Sequence, residues 1–317
     1  MRQHVTVALA LLTIAWAAQA QTFPTRPITV VVPQQAGSFS DNVIRPLLPG
    51  LQEQLNQTVI IDNKAGANGI IGAEAVMRAK PDGYTVLLAA SSVFVTNANL
   101  YKKLSYDPVK DFRSVASLGR VSMMYVTRPD FPAKSVEELV AYAKAQDKPL
   151  DIAYGSSTAQ LAIALIGSVS GVKFNTIPYK GSPQLMTDLL GGTVQLGVVD
   201  AASGTPYVKS GKVRALATTD TMRSPFLPEV PGLAERYPGA SLVSWNGLVV
   251  PAGTPDDVVQ RLYEAVRKVI DTPEVAARYN AASVTPSLST PAELDKTIRE
   301  DIVRWGALMR TAGIEKE

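Results

Sequence analysis

The sequence predicts an α/β protein of two domains, each with parallel or mixed strands covered by helices and joined by crossing strands. Three observations predict it. Short β-branched runs recur along the chain, beginning with Ile28–Val32. Helical stretches with apolar residues at helical spacing lie between them. The 317 residues are 46% hydrophobic and 19% charged, an ordinary globular composition and long enough for two domains.

Residues 27–41 read PITVVVPQQAGSFSD. Ile28, Val30, Val31 and Val32 show no polar alternation, which suits a strand buried on both faces of a parallel sheet. Pro33 ends the run, and Ser38, Ser40 or Asp41 can cap the following helix. Val43, Leu47, Leu48, Leu51 and Leu55 keep helical spacing, but Pro46 and Pro49 predict a kinked or broken helix. Strands follow at 58–62 and 84–90, with a helix over 70–79 between them and a turn at Pro81-Asp82-Gly83. This βαβαβ order implies a parallel sheet. Residues 101–112 read as a surface connection; 115–127 reads as a strand broken near Gly119 and as the first crossing between domains.

A second set begins with a helix over 136–145, capped by Ser135 with Glu138 three residues on. Strands are expected at Leu150–Tyr154, 174–179, 194–199 and 213–218, with helices opening near Ala159, at Gln184 and after Asp200. Residues 224–238 hold four prolines and read as a loop. Residues 242–250 form the strand crossing back, after which Thr254 caps a helix with Pro255 at its first position. Helices are expected over 256–270, 273–279 and Pro291–Thr311. Domain 1 is therefore 21–122 plus 247–317, and domain 2 is 123–246.

Residues 1–20 stand apart: Arg2, an apolar run over 5–18, then Ala18-Gln19-Ala20. This is the pattern of a secretory signal peptide cleaved before Gln21, a retained signal anchor being the alternative. No later stretch is long enough to cross a bilayer. Removing Arg2 lowers the formal charge of +3 by one, and no block of like charge suggests nucleic acid as a partner. There are 0 cysteines, so neither disulfides nor a lipidated cysteine can form. For a Gram-negative-type cell, an exported chain without a lipid anchor points to the periplasm. The 1 histidine, His4, lies in the leader. Ser-His-Asp and Cys-His catalysis and the usual zinc sites are thereby excluded, and no metal or cofactor is expected.

The loop Gln34, Gln35, Ala36, Gly37 and Ser38 leaves backbone N–H groups accessible at a helix N-terminus, an anion site that needs no cationic side chain. Residues 155–160, GSSTAQ, have the same character: they follow a strand, are small and hydroxyl-rich, and open a helix. Two such termini across a cleft could hold both ends of a diacid. Charge-assisted hydrogen bonds are worth about 1.5–3 kcal/mol each, so four or five support roughly micromolar binding. Ser91 and Ser92 end the third strand at another junction where ligands gather. Asp200 either accepts a hydrogen bond from a ligand or caps the next helix. Phe39 and Tyr154 can stack on an apolar ligand body or pack in the core. The candidate ligand-binding set is Gln34, Gln35, Ala36, Gly37, Ser38, Phe39, Ser91, Ser92, Tyr154, Ser156, Ser157, Thr158 and Asp200.

Three other patterns are weighed against it. Gly66, Gly69 and Gly72 have the wrong spacing for a dinucleotide fingerprint and read as a tight turn with close helix packing. Ser170 and Lys173 fit S-x-x-K without its companion motifs. Asp256 and Asp257 complement a helix dipole rather than hold a metal.

Several stretches in this order resemble the Bug family, the periplasmic substrate-binding proteins of tripartite tricarboxylate transporters. They are 27–33 with Gly37 and Asp41, 66–72, 81–88, NANLYKKLSYDPVKD at 97–111, PYKG at 178–181, DLLGG at 188–192, 213–218, SPFLPEVPGLAE at 224–235, 245–254 and WGALMRTAGI at 305–314. The resemblance covers almost the whole mature sequence. It implies a two-domain periplasmic binding protein of type II-like architecture, closing as a Venus flytrap over a small organic acid. It also implies that the first strand–helix loop and the loop at 155–158 grip the ligand carboxylate, largely through backbone N–H groups and water. The first loop departs from the family: Gln34, Gln35 and Ala36 replace its aromatic and prolines, and Ser38 replaces its second glycine. The second loop is about two residues shorter, and Gln160 stands where the family often has His. Residues and resemblance together give the expectation of a monomeric periplasmic receptor for a mono-, di- or aromatic carboxylate. It would deliver the acid to the membrane permease subunits of such a transporter. Docking on a sensor kinase is the second reading, and an exported hydrolase using Ser170 and Lys173 the third.

Overall fold

A computed structural model describes residues 23–316 apart from 222 and 312, so the expected signal peptide at 1–20 and its cleavage point lie outside the described residues. Strands β1 (Ile28–Val32), β2 (Val59–Asn63) and β3 (Thr85–Ala90) pair in parallel in the order β2-β1-β3. Between β1 and β2 the proline-broken helix appears as α1 (Phe39–Ile44), a 3-10 turn at Arg45–Leu47 and α2 (Leu48–Leu55). Helix α3 (Ile70–Met77) connects β2 to β3. Beyond β3 the chain makes a wide helical turn at Ser92–Thr96 and a short α4 (Asn97–Leu100), neither of which was expected from the sequence.

The next strand, β4 (Phe112–Thr127), is continuous over 16 residues. The break expected near Gly119 is a pair of register shifts, at Ser114/Ala116 and Ser117/Gly119, through which pairing continues. Its first part, to Ser122, pairs antiparallel with β9 (Val243–Pro251), which in turn pairs with β3. Its last part, from Met123, pairs antiparallel with β7 (Leu196–Asp200) and β8 (Arg214–Thr218). Strand β7 continues in parallel to β5 (Leu150–Tyr154) and β6 (Phe174–Pro178). The path β2-β1-β3-β9-β4-β7-β5-β6 is thus a mixed α/β sheet whose two flanks meet on one strand.

Helices α5 (Val136–Lys144), α6 (Ser157–Ser170), α7 (Ser182–Gly191) and α8 (Ala201–Lys209) connect the second flank. Helix α6 begins two residues before Ala159, because the Ser156 hydroxyl accepts the Ala159 N–H at 3.1 Å and so starts the helix at Ser157. The proline-rich loop contains one short helix, α9 (Leu233–Arg236). The C-terminal part is α10 (Asp256–Val269), α11 (Pro273–Ala281), a two-residue β10 (Thr285–Pro286) on β4, and α12 (Pro291–Thr311). Thr254 is not the cap of α10. Its hydroxyl turns back to donate to Pro251 O at 2.8 Å, and Pro255 takes the cap position.

One hydrophobic cluster packs α1, α2, α10 and α11 on the first flank; the other covers the second flank and reaches residues of β1, β3 and α12. Helix α12 is pinned from β9, where Trp245 Nε1 donates to the buried Asp301 carboxylate at 2.9 Å. Among the described residues no helix is long and apolar enough to cross a membrane.

The β1–α1 loop is tied down by Asp41, which is 2% exposed. Its carboxylate accepts from Gly37 N–H at 2.8 Å, Arg45 Nε at 2.6 Å and Asn63 Nδ2 at 3.3 Å. Asn63 Nδ2 also donates to Gln34 O at 3.0 Å, so the end of β2 holds the loop. Burial works to raise the Asp41 pKa, but the hydrogen bonds from Arg45, Gly37 and Asn63 together hold it below the usual carboxylate value. A depressed folded-state pKa contributes stability above the unfolded-state value, near pH 4, that is lost as pH falls below it. Replacing Asp41 by Asn should therefore cost about 1–3 kcal/mol at neutral pH. In urea unfolding, the gap from the parent chain should shrink at pH 3. A gap of equal size at pH 3 would contradict the assignment.

Candidate functional site

The loops after β1, β2, β3, β5, β6 and β7 surround one cavity of about 730 Å³ between the two flanks. From the first flank come Gln34, Gln35, Ala36, Gly37, Ser38, Phe39 and Ser92; from the second come Ser156, Ser157 and Asp200. These ten of the thirteen sequence-predicted residues therefore share one space. The other three do not line it. Ser91 is buried behind the wall, with its hydroxyl 3.0 Å from that of Ser244. The Thr158 side chain is buried in the first turn of α6. Tyr154 is half-buried against the core at the end of β5, where its carbonyl accepts the Tyr179 N–H at 2.8 Å. Phe39 thus lines the cavity and Tyr154 does not. Gln160 also lies away from the cavity, one turn into α6, facing Thr311 and Ile314 across a separate groove.

The first loop is less open than its composition suggests. Gly37 N–H is held by Asp41, and Ser38 N–H donates to Gln35 O at 3.2 Å. The Ser38 hydroxyl caps α1 by accepting Asp41 N–H at 3.3 Å. The N–H groups of Phe39 and Ser40 find no acceptor among the described residues. In α6, Ser156 caps Ala159, and the N–H groups of Ser157 and Thr158 are likewise without an acceptor among the described residues. Both helices therefore open toward the cavity with donors unfilled, where the positive end of the peptide dipoles favours an anion.

Sequence reasoning missed the β6–α7 loop, which contributes Lys180, Gly181, Ser182, Pro183 and Gln184. Gly155 explains why it comes so close. A β-carbon at Gly155 would lie 2.5 Å from Gly181 C and 2.6 Å from Ser182 N, so the two loops touch backbone to backbone. Asp200 caps α8 through Ser203 N–H at 2.8 Å and accepts the hydroxyls of Ser203 at 2.9 Å and Ser182 at 2.8 Å. It thus does the capping that the sequence allowed and also borders the cavity. Among the lining residues only Lys180 and Asp200 carry charge.

Ala65, Gly66, Asn68, Gly69 and Asn97 complete the wall. Asn97 Nδ2 donates to Asn68 O at 3.0 Å and joins the loops after β2 and β3. The glycine series works as turn and packing. At Gly72 a β-carbon would lie 2.9 Å from Pro33 Cα and 3.1 Å from Lys64 O, so only glycine lets α3 pack there. Ser170 ends α6, its hydroxyl donates to Ile166 O at 2.6 Å, and it does not line the cavity. Asp256 pairs with Arg113 in the first turn of α10, and no metal-ligating cluster exists among the described residues.

Comparison with known proteins agrees with this architecture. The family model of the tripartite tricarboxylate transporter family receptor, TctC, matches residues 43–314. The chain is 34% identical to the periplasmic binding protein BugD, with a TM-score of 0.81 over 93% of this chain and 100% of that one. Rpa4515 of R. palustris, solved with adipate, is 30% identical with a TM-score of 0.84, over 93% of this chain and 100% of that one. MatC (Rpa3494) from Rhodopseudomonas palustris, solved with bound malate, is 29% identical with a TM-score of 0.78, over 90% and 99%. The chain belongs to the tripartite tricarboxylate transporter receptor family, as its resemblance to the Bug proteins implied.

Proposed function

We propose that the protein is a periplasmic receptor that captures a small carboxylate between two hinged domains and delivers it to the permease subunits of a tripartite transporter. The domains are 21–122 with 247–317, and 123–246; the leader is removed before Gln21, and no catalytic step follows capture. The observation that carries this reading is the cavity between the flanks. Unfilled backbone donors reach it from α1 on one side and α6 on the other. Its volume of about 730 Å³ suits a small ligand with room for water. Bound adipate and malate in two structural neighbours support a carboxylate as the guest class. Closing the domains would strip water from the acid and strengthen each hydrogen bond to it, and the resulting difference in affinity would favour the closed form.

A thermal-shift screen of the chain without residues 1–20 should show stabilisation by at least one C4–C8 carboxylic acid and none by sugars or amines. An acid present at about 100 times its Kd adds about 2.7 kcal/mol, a shift of several degrees. Stabilisation by sugars or amines with no response to any acid would refute the reading.

Gly155→Ala should weaken binding of that acid about tenfold or more, since backbone rather than a flexible side chain blocks the new methyl. Gly191→Ala, where nothing lies within 4 Å of the added carbon, serves as the control and should bind as the parent does. Calorimetric titration measures both. Unchanged affinity in Gly155→Ala would show that the contact between the β5–α6 and β6–α7 loops does not shape the site.

A further inference from the structure

We infer that Lys180 reads a second negative charge on the ligand and so sets a preference for diacids over monoacids. The inference rests on the carboxylate-receptor reading and assigns that site a specificity residue. Lys180 is the one cationic side chain among the residues lining the cavity. It is exposed and forms no ion pair or hydrogen bond among the described residues. The backbone that carries it is held on both sides. Tyr179 N–H donates to Tyr154 O at 2.8 Å, and the Ser182 hydroxyl donates to Asp200 Oδ2 at 2.8 Å. The ammonium can therefore search the cavity mouth on its four-carbon stem while its anchor stays fixed.

The other charged wall residue is not its ion-pair partner. Asp200 already receives three hydrogen bonds, from Ser182 and twice from Ser203, and forms no ion pair with Lys180. On the receptor reading, the unfilled N–H groups of α1 and α6 together hold one carboxylate rather than the two ends of a diacid. Only a second carboxylate gives Lys180 a partner, and a monoacid leaves it in water. Because the ammonium is exposed, the contact is screened by salt, unlike the backbone contacts deeper in the site.

The test is calorimetric titration of the parent chain, Lys180→Ala and Lys180→Arg with adipate and succinate, and with hexanoate and butyrate, at low and high salt. Lys180→Ala should lose about tenfold in affinity for a bound diacid and less than about twofold for its monoacid counterpart. Lys180→Arg should stay within about threefold of the parent, and the parent's diacid affinity should fall more steeply with salt than that of Lys180→Ala. Equal losses for both acid types, or no loss for either, would overturn the inference. A parent chain that binds monoacids but no diacid overturns the inference alone. A parent that binds none of these four acids overturns the inference, and it overturns the receptor reading as well if no acid of the thermal-shift screen binds either.

Discussion

Strand β4 is the constraint on which the rest depends. One continuous strand of 16 residues is hydrogen-bonded first to β9 and then, from Met123, to β7 and β8. Strands β8 and β9 lie end to end along the same edge, joined where Leu242 N–H donates to Thr219 O at 2.9 Å. Both flanks are therefore built on one backbone. The carboxyl ends of β1, β3, β5, β6 and β7 consequently open onto a shared space. Loops at such ends are where open α/β sheets present ligand sites. The cavity thus follows from the pairing scheme and does not depend on any single side chain.

The electrostatics of that space follow from which groups are already satisfied. Two carboxylates come near it, Asp41 behind the first loop and Asp200 at its border, and each receives three hydrogen bonds from the protein. Asp41 is paired with Arg45, whereas Asp200 keeps a negative charge that is shared among three neutral donors. What remains unfilled are donors: the first N–H groups of α1 and α6, and the Lys180 ammonium. A wall of this kind is complementary to an anion and needs no group that titrates near neutral pH.

Much of this was legible in the sequence because it rests on local rules. The unalternating run Ile28–Val32, the prolines at Pro46 and Pro49, and the small residues after β1 and β5 each state a local preference that the fold obeys. The failures are equally physical. Tyr154 and Thr158 sit within binding-loop sequences, yet Tyr154 packs half-buried against the core and the first turn of α6 buries the Thr158 side chain, which residue type alone does not reveal. Gly37 and Ser38 promised free donors, but Asp41 and Gln35 had already engaged them through the tight geometry of the loop. The β6–α7 loop was overlooked as part of the site because KGSP by itself reads as an ordinary turn, although PYKG at 178–181 was among the stretches that resemble the family. Its place depends on the absence of a β-carbon at Gly155, some 25 residues earlier. The register shifts that replace a break at Gly119 likewise require knowing the partner strand.

The central claim is that main-chain donors from both flanks meet one guest carboxylate. Amide NMR of the isotopically labelled chain tests it most directly, by titration with the acid that stabilises it. The account predicts that the N–H signals of Phe39 and Ser157, which line the cavity, move together, saturate at the same ligand concentration, and shift in the direction of stronger hydrogen bonding. Movement confined to one of the two loops, or to residues outside the cavity, would contradict it.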